Sequence, residues 1–373
     1  MTSDTPLLFV LTALGIGGTE RKTVAIANEL HRRGWNVHLA YLDARTPLLK
    51  RIRKGLPVTH LQREGKVSLS AIRLLRNYVA ENHVPRIVCA GLYPLLYAQL
   101  ARLLCDGPNK PDIVLMHNTT DHFDRKAQLQ MVIYRPLMRR AAKVIFGCRA
   151  QQEMFVRNYG FDVRKCSIIY NGIDAQRFEP GAVDLQSGSK ALGIELDDDA
   201  FVIVAVGTLW PNKNHIELIN VLANLKEKLP NARLIIAGEG PERQNLEAAA
   251  RQSGVEDRVI LLGEIEDVRP LLDVANVFVL PSKSETFSNA TLEAMAMKNV
   301  VISNDTGGMK EMIHDGVDGF VYEVGDVNYL AALIENLAGQ PQRRQTIGEA
   351  ARAAVLERFT FDRMVGDYQK ELR

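Results

Sequence analysis

The sequence lacks the features that mark several common classes of protein. It has only four cysteines, which lie far apart: Cys89, Cys105, Cys148 and Cys166. None belongs to a C-x-x-C pair, so neither a disulfide framework nor a cysteine-based metal site is predicted. No apolar run approaches the roughly 20 residues of a membrane span, and no basic segment typical of a signal peptide precedes the first apolar run. We therefore expect a folded protein of the cytoplasm.

Apolar segments that fit strands alternate with segments of helical periodicity. The 373 residues, 46% of them hydrophobic, suffice for two domains with full cores. Strands are predicted at Leu7–Leu14, Val37–Leu42, Ile87–Ala90, Ile113–Met116 and Val144–Phe146, and in a second series at Phe201–Val206, Arg233–Ala237, Val259–Leu262, Val277–Leu280 and Val300–Ser303. Helices between them include Thr19–Arg33, Ser68–Asn82 and Arg125–Ala142. This alternation predicts an α/β protein with two doubly wound, Rossmann-like parallel sheets.

The stretch between the two series has the composition of a linker. Residues 171–200 contain Asn171-Gly172, Pro180-Gly181 and an acidic run. We predict an N-terminal domain over 1–175 and a second domain over 176–357. Residues 358–373, which form an amphipathic segment, are predicted to be a separate C-terminal helix.

The small net charge of +2 conceals two halves of opposite sign. Residues 1–178 contain 27 Lys and Arg against 13 Asp and Glu, whereas residues 179–373 contain 19 against 31. Basic and apolar residues interleave in Lys50–Lys54 and Arg135–Lys143. The first half is therefore predicted to face an anionic membrane surface or an anionic acceptor. Attraction between the two halves is the alternative explanation.

Two glutamates follow the predicted strand Val277–Leu280 in an E-x7-E arrangement, Glu285 and Glu293. Ligands bind beyond the carboxyl ends of strands in open α/β sheets, and the free N–H groups of a following helix attract phosphate. Glu285 is placed to accept hydrogen bonds from sugar hydroxyls, and Glu293 from a ribose diol. Two solvated glutamates would show the same spacing, so the neighbouring motifs decide between the two interpretations.

Those motifs occur in order along most of the chain. They are Gly15-Ile16-Gly17-Gly18-Thr19-Glu20-Arg21, His117-Asn118, Gly207-Thr208-Leu209 through Lys213, Ala237-Gly238-Glu239-Gly240-Pro241, Gly263 to Asp267, the E-x7-E segment and Gly307-Gly308. Together they resemble the retaining glycosyltransferases of the GT-B fold, family 4. The resemblance implies two Rossmann-like domains that face each other across a cleft, with the C-terminal helix crossing back to the first domain.

The glycine-rich segment after the first strand also suggests a dinucleotide site, since Asp43 lies about twenty residues further on. Its spacing is not G-x-G-x-x-G, and Thr19-Glu20-Arg21 fits the family form better. The resemblance implies that Gly17 and Gly18 line the donor phosphates and the acceptor side. It also implies that His117 contacts the donor sugar, with Asp121 and His122 as weaker candidates.

In the second half, the resemblance gives Lys213 the task of neutralising the departing diphosphate, which other enzymes assign to Mg²⁺. Thr208 stands where the family usually has arginine, so one phosphate clamp is missing or replaced. We predict no metal and no cofactor other than the nucleotide sugar itself. We also place Glu285 and Glu293 at the donor, together with six neighbours: Gly238, Glu239, Gly263, Ser288, Asn289 and Ala290.

The predicted function is retaining transfer of a sugar to a hydroxyl of a glycolipid or surface polysaccharide. A UDP-sugar is favoured as donor over GDP-mannose. The predicted partners are the nucleotide sugar, a glycolipid or oligosaccharide acceptor and an anionic membrane, but no nucleic acid. A catalytically silent GT-B protein and an NAD-dependent oxidoreductase remain as alternatives.

Overall fold

The computed structural model describes residues 5–15, 17–65, 67–105, 107, 110–117, 125–181 and 185–373. The chain forms two compact units. The first contains the chain up to Tyr170 together with Val365–Arg373, and the second is Asn171–Met364.

The first unit is a parallel sheet covered by helices. Its strands are β1 Leu7–Leu11, β2 Val37–Tyr41, β3 Val58–His60, β4 Arg86–Ala90, β5 Asp112–His117, β6 Lys143–Phe146 and β7 Cys166–Ile168. They lie in the order β3-β2-β1-β4-β5-β6-β7, and every pair is parallel. The helices are α1 Gly18–Arg32, α2 Leu69–Glu81, α3 Leu92–Leu103, α4 Arg125–Arg139 and α5 Arg149–Tyr159.

The second unit repeats the plan with another parallel sheet. Its strands are β8 Phe201–Val206, β9 Ala232–Ala237, β10 Val259–Gly263, β11 Val277–Leu280, β12 Val300–Asn304 and β13 Phe320–Tyr322, in the order β10-β9-β8-β11-β12-β13. Its helices are α6 Leu185–Ala191, α7 Ile216–Asn224, α8 Arg243–Gln252, α9 Arg269–Asp273, α10 Asn289–Ala296, α11 Met309–Met312, α12 Val327–Ala338 and α13 Pro341–Arg358. Strand order reverses beside β8, which places a ligand-binding switch point between β8 and β11.

The central strands have continuous apolar sequences because helices cover both faces of each sheet. In β1, all five residues of Leu7–Leu11 are buried, and the same holds for Val277–Leu280 in β11. The helices are amphipathic: α2 begins at the capping hydroxyl of Ser68 and buries Ile72, Leu75 and Val79. The burial pattern therefore explains why the predicted central strands are confirmed.

The last helix, α14 Phe361–Glu371, returns the chain to the first unit. Ser167 Oγ donates a hydrogen bond of 2.8 Å to Glu371, and Arg33 Nη1 donates one of 2.8 Å to Gln369 Oε1. Tyr368 and Leu372 are buried there. The predicted crossing of the C-terminal helix is confirmed, because Val365–Arg373 belong to the first unit.

Two local predictions differ from the structure. The short strands β3 and β7 were not predicted, since three half-buried residues give too little periodicity to mark a strand. The stretch 171–200, predicted as a linker, contains α6, and Ile173 forms a β-bridge with Thr360 inside the second unit. A Cβ at Gly172 would overlap the carbonyl oxygen of Thr360, so its glycine serves tight packing within that unit.

Candidate functional site

Lys213 and Glu285 form an ion pair beyond the carboxyl ends of two neighbouring strands. Lys213 ends a short 3-10 turn, Pro211–Lys213, that follows β8, and Glu285 lies in the loop between β11 and α10. Lys213 Nζ lies 2.5 Å from Glu285 Oε2. The Lys213 side chain is 21% exposed and the Glu285 side chain 14%. Both charged groups therefore reach a partly open surface at the switch point of the sheet.

Backbone contacts hold the two loops that carry this pair. Lys283 N donates a hydrogen bond of 2.8 Å to Asn212 O, and Gly308 N donates one of 2.8 Å to Thr286 O. Gly307 has a φ of +55°, and a Cβ at that position would overlap the carbonyl oxygen of Glu285. Only glycine fits here, since both the conformation and the space exclude a side chain. The motif Gly307-Gly308 thus fixes the backbone at Glu285.

The helix α10 begins at Asn289, four residues after Glu285, and directs its first N–H groups towards the same edge. The Ser288 hydroxyl accepts a hydrogen bond of 3.2 Å from Thr291 N and so caps the helix. Asn289 and Ala290 occupy the first turn, where N–H groups have no acceptor within the helix. Glu293 lies on the second turn and is half-buried. The arrangement offers an anion two backbone donors and a helix N-terminus.

His215 is buried directly behind Lys213. Its ring is 3% exposed, and within the described part of the chain neither ring nitrogen has a hydrogen bond of normal geometry. Burial lowers the pKa of His215 to about 4, and the charge of Lys213 adds to this, while the backbone at Thr208 and Gly207 acts in the opposite direction. The imidazole is therefore neutral at physiological pH.

A buried carboxylate stands behind the same turn. Glu217, in the first turn of α7, is 3% exposed and accepts hydrogen bonds from Asn214 Nδ2 at 2.5 Å and from Tyr322 Oη at 2.7 Å. Burial raises the pKa of Glu217, and the two hydrogen bonds oppose the shift. The sequence prediction missed this residue. The available signal was an acid on the apolar side of α7, four residues before the buried Val221.

The glycines of the Gly238-Glu239-Gly240 motif pack against backbone. Cβ atoms at Gly238 and Gly240 would overlap the carbonyl oxygens of Gly207 and Leu209. Leu209 N also donates a hydrogen bond of 2.9 Å to Glu239 O. Thr208 therefore lies beside this motif, and its own side chain is exposed.

Two other predicted donor residues lie at the ends of the same segments. Gly263 ends β10 with a φ of +77° and accepts a hydrogen bond of 2.8 Å from Gly238 N. The carboxylate of Glu239 pairs with Arg243. Gly263 therefore contacts the Gly238-Glu239-Gly240 motif, which lies beside Thr208. The Glu239 carboxylate points to Arg243, the first residue of α8.

Three predicted site residues lie in the first unit. Gly17 is the N-cap of α1 and Gly18 is its first residue, and both are exposed beyond β1. His117 ends β5 and is fully buried, with its ring edge-on to Phe155 at 4.6 Å between centroids. The weaker candidates Asp121 and His122, like Asn118, lie outside the described residues.

The predicted site therefore falls into separate groups. Lys213 and Glu285 touch, Ser288, Asn289, Ala290 and Glu293 follow in the adjoining loop and helix, and Thr208 joins Gly238, Glu239 and Gly263 in the neighbouring loops. Gly17, Gly18 and His117 belong to the other unit. The described residues include no cluster of three His, Cys, Asp or Glu side chains that could hold a metal ion.

Two family models match successive parts of the chain. The model described as Glycosyltransferase Family 4 matches residues 16–177, and the one described as Glycosyl transferases group 1 matches residues 193–354. Between them they cover all but the two ends and a short stretch in the middle.

Individual relatives agree with these matches. The chain is 25% identical over 356 residues to the Campylobacter jejuni N-acetylgalactosamine-N,N'-diacetylbacillosaminyl-diphospho-undecaprenol 4-alpha-N-acetylgalactosaminyltransferase, with 91% of this chain and 92% of that protein covered. It is 29% identical over 187 residues to the Escherichia coli UDP-Gal:alpha-D-GlcNAc-diphosphoundecaprenol alpha-1,3-galactosyltransferase, covering 49% of this chain and 48% of that one. The chain spans about half the length of several curated relatives that it matches.

A solved structure has the same fold. The Anabaena protein Alr3699/HepE, in complex with UDP, superposes with a TM-score of 0.85 at 22% identity, and the match covers 99% of both chains.

Proposed function

We propose, because this chain belongs to the GT-B glycosyltransferases of family 4, that it transfers a hexose from a nucleoside diphosphate donor to an acceptor hydroxyl. The observation that carries the proposal is the Lys213–Glu285 pair, which lies beside the N-terminus of α10 at the carboxyl edge of the second sheet. A cation, a carboxylate and free amides are the groups that a diphosphate and a sugar require.

In this proposal Lys213 and Glu285 exchange partners when the donor binds. The ammonium of Lys213 moves to the diphosphate and neutralises the charge that develops as the sugar leaves. Glu285 is then free to accept hydrogen bonds from sugar hydroxyls, and the amides of Asn289 and Ala290 bind phosphate oxygens. Until the donor binds, Lys213 and Glu285 pair with each other at 2.5 Å, so both charges are neutralised.

We further propose that the reaction retains the anomeric configuration and proceeds without a metal ion. Lys213 supplies the positive charge that a bound metal would otherwise provide at the diphosphate. Catalysis then depends on holding donor and acceptor in line. The close packing of Gly307 against the carbonyl of Glu285 fixes the backbone at Glu285 for this task.

A UDP-sugar is the proposed donor. Two comparisons support it: the similar fold of the Anabaena protein, whose structure was solved in complex with UDP, and the UDP-Gal donor named for the Escherichia coli relative.

The exposed Thr208 stands where the family usually has an arginine that binds the diphosphate. In this proposal Lys213 therefore neutralises a larger share of the diphosphate charge.

The proposed acceptor is a glycolipid or a growing surface polysaccharide at the cytoplasmic face of a membrane. The relatives named above act on diphospho-undecaprenol-linked sugars. On α4, Leu129, Val132 and Ile133 share one face and are 71%, 70% and 61% exposed. Residues 125–152 include seven Lys and Arg and no acid. An apolar stripe within a basic segment fits an anionic lipid surface.

The described residues contain no helix that is both long enough and apolar enough to cross a membrane. The membrane association that we propose is a peripheral contact through the exposed apolar face of α4.

A nucleotide screen followed by transfer of a radiolabelled sugar tests the proposal. We expect UDP or a UDP-sugar to raise the melting temperature and NADH to leave it unchanged. Label should then move to a lipid-linked or polysaccharide acceptor. Stabilisation by NADH alone would support the oxidoreductase, and nucleotide-sugar binding without hydrolysis or transfer would identify a silent binding protein.

A further inference from the structure

Glu217 is a carboxyl side chain in a place where negative charge is costly. It is 3% exposed, and burial raises its pKa although its hydrogen bonds, including one from the backbone of Gly325, and the charge of Lys283 act in the opposite direction. Each carboxyl oxygen has a neutral side-chain donor: Tyr322 Oη lies 2.7 Å from Oε1 and Asn214 Nδ2 lies 2.5 Å from Oε2. Replacement of buried ionic groups by packed apolar ones is often stabilising. The carboxylate is therefore poorly explained by stability alone.

The Asn214 side leads to Lys213. Asn214 follows Lys213 directly, is 6% exposed and has a φ of +55°, which ends the turn Pro211–Lys213. Its backbone N–H donates a hydrogen bond of 3.3 Å to Pro211 O. Because the amide of Asn214 is fixed on Glu217 and its backbone closes the turn, the carboxylate limits where the Lys213 side chain begins.

The Tyr322 side leads to Glu285. Tyr322, in β13, accepts a hydrogen bond of 2.8 Å at its carbonyl oxygen from Asp305 N. Asp305 directly follows β12, and two residues later Gly307 packs against the carbonyl of Glu285. Glu217 is therefore joined to the Glu285 loop through one strand and one glycine contact.

We propose that Glu217 is a positioning residue that holds Lys213 and Glu285 in register for the sugar donor. Glu217 connects the loop that carries Lys213 with the loop that carries Glu285 on the buried side, and the Lys213–Glu285 ion pair connects the same two loops at the surface. A carboxylate suits this place because one oxygen accepts a hydrogen bond from Asn214, at the end of the turn after β8, and the other accepts one from Tyr322 in β13. The inference rests on the proposed function, in which Lys213 and Glu285 act on the donor.

Steady-state kinetics of the full-length chain test the inference. We expect Glu217→Ala to lower kcat by on the order of tenfold to a hundredfold, with a smaller rise in donor KM, because displaced groups lose most at the transition state. Glu217→Gln keeps one acceptor and one donor in the same shape, so it should recover much of the loss.

Asn299→Ala is the matched control. Asn299 is 5% exposed and its Nδ2 donates a hydrogen bond of 2.9 Å to Leu272 O, at the amino end of β12 and away from both loops. It should lower the melting temperature without changing kcat or KM. If Glu217→Ala behaves in the same way, Glu217 is merely structural and the inference is wrong.

A double-mutant cycle separates this inference from the proposed function, since it needs no substrate. The coupling between Lys213→Ala and Glu285→Ala in unfolding experiments should be present in the wild type and largely lost in the Glu217→Ala background. Unchanged coupling, or none in the wild type, would overturn the positioning role. Absence of transfer with every nucleotide sugar would instead overturn the proposed function and leave the cycle to decide about Glu217.

Discussion

Lys213 and Glu285 lie 72 residues apart in the sequence, and their charged atoms lie 2.5 Å apart in the structure. The contact brings together two segments that the sequence had implicated separately. In this structure each of the two residues neutralises the charge of the other at a partly open surface. The predictions below follow from this contact and its surroundings.

The first prediction concerns the roles of the two glutamates. Glu285→Ala should depress turnover, since the hydroxyls of the donor sugar lose a hydrogen-bond acceptor and Lys213 loses its ion-pair partner. Glu293→Ala should chiefly weaken nucleotide binding, by about 1–3 kcal/mol, because a charge-assisted hydrogen bond is lost. Initial rates and calorimetric titration with UDP measure the two effects. Glu335→Ala, which removes an exposed pair with Lys228, is the control, and full activity in both test variants would refute the assignment.

The second prediction concerns the reaction itself. Excess EDTA should leave transfer largely intact, because Lys213 supplies the positive charge at the diphosphate. The product should keep the anomeric configuration of the donor, as NMR of the purified product can determine. An inverted product, or activity that EDTA abolishes and Mn²⁺ restores, would contradict the proposed chemistry.

The third prediction concerns the apolar face of α4. Changing Leu129, Val132 and Ile133 together to Gln should release the protein from phosphatidylglycerol vesicles, with a loss of roughly 1 kcal/mol or more for each side chain. Flotation assays at low salt measure binding, and nucleotide affinity should not change. The control is Leu356→Gln, a half-exposed leucine of the second unit.

Electrostatic binding to the same vesicles can be tested independently. Charge reversal at the exposed Lys50, Arg51, Arg53 and Lys54 should also weaken binding, because each basic residue near an anionic surface contributes about 1 kcal/mol. If the wild type never floats with such vesicles, the membrane contact is refuted, and the basic half serves a soluble acidic acceptor or the acidic half of the chain.

The fourth prediction concerns pH. The pKa of His215 is lowered from 6.5 to about 4, so below pH 6.5 the unfolded chain takes up a proton that the folded chain refuses. The free energy of unfolding should therefore fall as the pH drops from 6.5 to about 4, with His215 contributing on the order of 3 kcal/mol. His215→Phe should flatten this part of the urea-unfolding profile. His83→Asn, at an exposed histidine, should not.

Local patterns predicted much of the architecture. Val277–Leu280 and Phe201–Val206 appear as strands with the predicted bounds, because a strand buried on both faces needs a continuous apolar sequence. A helix was expected after the strand Val277–Leu280, and α10 begins there at Asn289, capped by Ser288. Strand β7 was not predicted, because its three half-buried residues carry no such pattern.

The candidate site was predictable only in part. Glu285 and Lys213 were selected from motifs, because a carboxylate can bind sugar hydroxyls and a lysine can neutralise a diphosphate. His117 was selected in the same way, and its complete burial shows an environment that the sequence does not reveal. Glu217 was overlooked because a glutamate in a helix is usually solvated, and only its partners Asn214 and Tyr322 give it significance.

The sequence by itself determined the alternation of strands and helices, the family and the residue types at the proposed donor site, since all of these follow from local periodicity and short ordered motifs. The tertiary structure decided which of those residues meet. Lys213 pairs with Glu285, and Glu217 reaches Tyr322 across 105 residues. The physical reason is that the order of strands in a parallel sheet brings distant loops to one edge, and pairings between those loops leave no periodic trace along the chain.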